Sequence, residues 1–112
     1  MSDPIVYFEL AGLDAGKLRE FYGDLFGWDI GIGNAISAAS TGGLNGGIRQ
    51  DPAEKVLYIG VPDIKLRLED IEIAGGVTVL PRTEVPGVVT FALFRDPAGN
   101  LMGLAELGSF QH

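Results

Sequence analysis

The chain has 112 residues, which is the length of one domain and enough to bury a core. With a hydrophobic fraction of 46% it is not a disordered chain, and its 17 glycines, scattered without a three-residue period, exclude collagen and point to many turns. A net charge of −7 excludes a phosphate-binding basic surface and an anionic membrane as partners, and the absence of cysteine excludes disulfides, thiolate metal sites and a thiol nucleophile.

Ile5 to Leu10 reads as the first strand, short and rich in β-branched and aromatic residues. Asp14 stands where a helix N-cap belongs. Leu18, Phe21, Tyr22 and Leu25 then fall at i, i+3, i+4 and i+7, one apolar stripe of a helix that Gly27 ends. Three short apolar stretches follow, Trp28 to Ile32, Ala35 to Ala39 and Leu44 to Arg49. Gly33-Asn34 and Thr41-Gly42-Gly43 separate them, which predicts a three-stranded meander.

After a polar loop the pattern restarts. Val56 to Val61 is a strand, Asp63 a second N-cap, and Ile64, Leu68 and Ile71 a second helical stripe ended by Gly75-Gly76. Val77 to Leu80, Val88 to Phe94 and Leu101 to Leu107 supply three more strands. The halves align at a constant offset, since 63 − 14, 76 − 27 and 59 − 10 all give 49 for Asp14/Asp63, Gly27/Gly76 and Leu10/Ile59. One strand–helix–strand–strand–strand unit is therefore written twice, over about residues 4–49 and 55–108. The expectation is a single α+β domain of two βαβββ modules.

Three segments resemble the vicinal oxygen chelate superfamily, which includes glyoxalase I, bleomycin resistance proteins and extradiol dioxygenases. They are Phe21-Tyr22-Gly23-Asp24-Leu25-Phe26-Gly27-Trp28, Tyr58-Ile59-Gly60-Val61-Pro62-Asp63-Ile64, and Asp96-Pro97-Ala98-Gly99-Asn100. The likeness covers nearly the whole chain and is nearest to bacterial proteins related to lactoylglutathione lyase. It implies a curved mixed sheet forming a cup with helices outside, a small ligand in the cup, and a homodimer.

In metal-dependent members the ligand positions fall, by this resemblance, on Tyr7, Val56, Gly103 and a residue within Leu44-Asn45-Gly46-Gly47. Valine and glycine offer no electron pair, tyrosine must first lose a proton, and no His, Asp or Glu is present among these residues. The one histidine, His112, is terminal, so no two-His iron site can form within the chain. No metal and no cofactor are expected.

Glu9 is two residues from Tyr7 on the first strand, so both side chains share a face. It reads either as a partly desolvated carboxylate fit for proton transfer or for binding a cation, or as a rim carboxylate paired with an arginine. Tyr58, equivalent to Glu9 at the offset of 49, offers a hydroxyl and a ring face or packs in the core. Asn45 is a candidate donor or a turn residue. Glu106 falls on the face opposite Gly103 and reads as solvated. Phe21, Phe26 and Trp28 read as core. The glycine run 42–47 lacks the Gly-Lys-Ser/Thr ending of a phosphate loop, and Ser37, Ser40 and Ser109 have no internal histidine to activate them.

The leading expectation is a cytoplasmic, metal-free, homodimeric protein that binds an apolar or aromatic small molecule through Tyr7, Glu9, Asn45 and Tyr58. The alternatives are a glyoxalase-like lyase or isomerase with Glu9 as general base, and a metal-dependent member with atypical ligands.

Overall fold

The computed structural model describes residues 2–108. The predicted His112 and Ser109 lie outside them. The chain is α+β and divides into two compact units, one of residues 7–56 and one of residues 1–6 with 57–112. Each unit is a mixed sheet with a helix packed on one face.

In the first, β1 (Ile5–Gly12) runs parallel to β3 (Gly46–Gln50), and β3 runs antiparallel to β2 (Ala35–Ile36). Helix α1 (Ala15–Phe26) starts where Asp14 Oδ1 accepts from the Lys17 N–H at 3.1 Å, satisfying an otherwise orphaned donor. It ends at Gly27, left-handed at φ 70°, as the sequence predicts. Ala15, Ile30, Ile36 and Ile48 form the core, with Phe8, Leu18, Tyr22 and Trp28 against them.

Two expectations fail here. The stretch Trp28 to Ile32 forms only a single bridge, Ile30 to Ile36, and Ala38–Thr41 is a helical turn, α2, rather than more strand. Gly31, Gly33 and the left-handed Asn34 (φ 62°) break the strand, and Asn45 Oδ1 accepts from the Ala38 N–H at 3.0 Å, which favours the turn. The predicted apolar stripe also splits. Leu18 and Tyr22 face the sheet, whereas Phe21, Leu25 and Phe26 are exposed at 51%, 65% and 60%. A stripe spanning i to i+7 is wider than the narrow sheet of three strands beneath it.

In the second unit the strand order is β4 (Glu54–Val61), β7 (Leu101–Glu106), β6 (Val89–Arg95), β5 (Val77–Val85), with β4 and β7 parallel and the others antiparallel. Helix α3 (Ile64–Ile73) is capped by Asp63 and buries the predicted stripe of Ile64, Leu68 and Ile71 against Val61, Ala92, Phe94 and Leu104. β5 runs on through Pro81, which the sequence suggests as a strand end. It is the outer strand of this order and carries register shifts, the two settings in which a sheet tolerates proline.

Candidate functional site

Strand alternation sorts the side chains of each unit onto two faces. In the first unit Phe8, Ile36 and Ile48 lie under α1. Tyr7 and Glu9 therefore point away from the helix. Glu9 pairs in register with Gly47, and Ala11 with Arg49, so Gly47 and Arg49 share that helix-free face.

Arg49 is the residue that sequence reasoning passed over. Its Nε lies 3.2 Å from Glu9 Oε1, and its Nη1 donates to Asp51 Oδ2 at 2.9 Å. The first contact is an ion pair without an aligned hydrogen bond, because the Arg49 Nε–H has no acceptor in line. Of the two readings of Glu9, pairing with an arginine is thus the one observed. The signal was available: Arg49 stands two residues after Gly47, hence on the same face.

Burial first, and then the neighbouring Glu9 carboxylate, push the Tyr7 phenol above its usual value. Tyr7 is therefore a neutral O–H at any ordinary pH, poorly disposed to become a metal-binding phenolate.

In the second unit Tyr58 pairs in register with Gly103 and is buried, its ring edge-on to Phe91 at 6.4 Å between centroids. The register also resolves which residue of 44–47 matches Gly103. Tyr58 opposes Gly103 as its equivalent Glu9 opposes Gly47, so the fourth ligand position is Gly47. Both positions are blocked as well as bare. A β-carbon on Gly47 would collide with the Tyr7 hydroxyl, and one on Gly103 with the Tyr58 ring. Val56, at the remaining position, is buried and apolar. Among the described residues no three His, Asp or Glu side chains come together to hold an ion. The donor set does not fit the metal that this fold commonly carries.

The structure brings Tyr7 and Glu9 together on one face. Asn45 is committed locally: its side-chain oxygen holds the Ala38 N–H and its carbonyl accepts from the Phe8 N–H. Glu106 lies on the helix side of its sheet, as alternation requires, but it is not simply solvated. It accepts from Arg82 at 2.7 and 3.2 Å and from the Ile64 N–H at 3.3 Å. No helix among the described residues is long and apolar enough to cross a membrane.

This arrangement is the vicinal oxygen chelate fold. A hypothetical protein from Bacillus halodurans C-125 superposes with a TM-score of 0.71 at 12% identity, over 100% of this chain and 99% of that one. Methylmalonyl-CoA epimerase from Mycobacterium tuberculosis gives 0.65 at 14% identity, over 91% and 86% of the two chains. A glyoxalase/bleomycin resistance protein/dioxygenase superfamily member from Vibrio splendidus 12B01 gives 0.67 at 13%, over 94% and 98%. Among curated proteins, the anthracycline biosynthesis protein DnrV of Streptomyces peucetius is 26% identical over 118 aligned positions. That alignment covers 83% of this chain and 43% of DnrV, so the chain spans less than half the length of this relative. No family model matches.

Proposed function

We propose that this chain is a metal-free small-molecule-binding protein of the glyoxalase/bleomycin resistance type, taking an aromatic, oxygen-bearing ligand. The observation that carries the reading is the filling of the two glycine positions. Where Gly47 and Gly103 leave room for a chelating side chain, a tyrosine lies instead. On the first unit's helix-free face, Tyr7 supplies a neutral hydroxyl donor, Glu9 an acceptor and Arg49 a positive charge. Tyr58 is proposed as a ring contact on the corresponding face of its own unit. The likeness to a protein of anthracycline biosynthesis supports an aromatic ligand, and the likeness to an epimerase supports an acyl thioester as the competing class. A cytoplasmic location belongs to the same proposal.

Thermal-shift measurements test it with three probes: 1,8-dihydroxyanthraquinone, methylmalonyl-CoA, and the chlorides of nickel, cobalt, zinc and manganese. The expected result is stabilisation by the quinone and none by the ions. Stoichiometric metal in protein purified without a histidine tag would overturn the metal-free reading.

A second reading makes Glu9 the general base of a lyase or isomerase acting without metal. The contact with Arg49 favours it, because a base must be held in place before it can take a proton. Glu9→Gln would then abolish turnover while sparing ligand binding. An unchanged rate in that variant removes this reading.

A further inference from the structure

Helix α1 carries more apolar surface than its own unit covers. Phe21 and Leu25, four residues apart, form one stripe, and both are exposed. They stand beside the stripe of Leu18 and Tyr22 that packs on the sheet. Phe21 is held by ring contacts to Tyr22 at 5.1 Å and Phe26 at 6.2 Å, so the patch is ordered rather than a pair of loose side chains. Two large apolar side chains set side by side on an ordered helix face mark an interaction surface.

The charges around the stripe say what kind of partner fits. On a helical projection at 100° per residue, Lys17 and Asp24 fall together on one flank of Phe21. Lys17 lies one turn before Phe21 and Asp24 just under one turn after it, and both are exposed. Glu20 lies further round, toward solvent. The flank is thus positive toward the start of the helix and negative toward its end. A second copy related by a two-fold axis near Phe21 would lay α1 antiparallel on α1. Lys17 of each copy would then face the partner's Asp24, with its aliphatic stem over the partner's Leu25. An isologous contact requires such self-complementarity, and it also offsets the repulsion between two chains of net charge −7.

The geometry points to the Phe21–Leu25 face of α1 as the centre of an antiparallel homodimer interface, flanked by reciprocal Lys17–Asp24 pairs. The inference stands independently of the ligand proposed above.

The cysteine-free sequence makes the test direct. Phe21→Cys places one thiol at the two-fold axis, and Ile73→Cys places one at a site 86% exposed on α3. Under mild oxidation the first is expected to form a covalent dimer at micromolar protein and the second to stay monomeric. Equal cross-linking of both overturns the assignment. Sedimentation of the unmodified chain should show a dimer that Leu25→Asp converts to monomer. A wild-type chain that remains monomeric at millimolar concentration, or a dimer indifferent to Leu25→Asp, overturns it too. Lys17→Glu should weaken the dimer about tenfold, and Lys17→Glu with Asp24→Lys should restore it. A double variant as weak as the single one would rule out the antiparallel arrangement.

Discussion

The two units share one plan and use it differently. The unit built on β4 has four regular strands and a contiguous core of Val61, Ile64, Leu68, Ala92, Phe94 and Leu104. The unit built on β1 has a sheet of three, one of them two residues long, a core of Ala15, Ile30, Ile36 and Ile48, and an exposed aromatic helix face. Yet the second of these holds the charged group on its helix-free face, where Glu9 meets Arg49. The difference teaches a division of labour inside a repeat. One copy keeps the packing that makes a domain stable, and the other gives up packing for polar chemistry.

Core truncation tests that division with the largest effect. Leu104 is 1% exposed between α3 and its sheet, whereas Ile48, at 6%, is surrounded by half-buried neighbours that can close over a void. Leu104→Ala is expected to cost about 4 kcal/mol and Ile48→Ala about 2 kcal/mol. Urea denaturation followed by circular dichroism measures both. Equal losses would mean that the two cores are equally tight, and the contrast would fall.

The glycine positions give the next effect. At Gly103 a new methyl group meets the body of the buried Tyr58 ring, whereas at Gly47 it meets the hydroxyl end of Tyr7, which can swing aside. Gly103→Ala should therefore cost about 2 kcal/mol and Gly47→Ala less than about 1 kcal/mol. The same denaturation experiment decides it, and a reversed order would show that Tyr7 is the more rigid of the two.

Much of this architecture was legible because it rests on local signals. Asp14 and Asp63 cap their helices, and the offset of 49 exposes the repeat before any contact is known. What was not legible depended on how much sheet lies under a helix. Phe21 and Leu25 have the period of core residues and became surface, because no strand lies beneath them. Trp28 to Ile32 has the composition of a strand, yet Gly31, Gly33 and Asn34 around it decided otherwise. At the site, the face shared by Tyr7 and Glu9 followed from alternation alone. Arg49 as their neighbour, and Gly47 as the blocked position, required the register between β1 and β3.

The smallest effect sharpens the comparison at a carboxylate that serves structure alone. Glu106 receives both Arg82 contacts and the first turn of α3, and chiefly the Arg82 hydrogen bond holds its carboxyl below the usual range. Since the folded state binds this proton less readily than the unfolded one, the linked stability is complete above about pH 4.3, the unfolded value, and is lost as pH falls through the lower folded value. Glu106→Gln keeps an oxygen for the Ile64 N–H and removes only the charge. It should cost about 1 kcal/mol at neutral pH, with the gap from wild type closing in acid. Arg82→Ala should cost a similar amount, and the double variant little more than either, because both remove one interaction. Additive losses would show that Arg82 and Glu106 act separately, and a pH-independent gap would show that Glu106 matters to this unit through packing rather than charge.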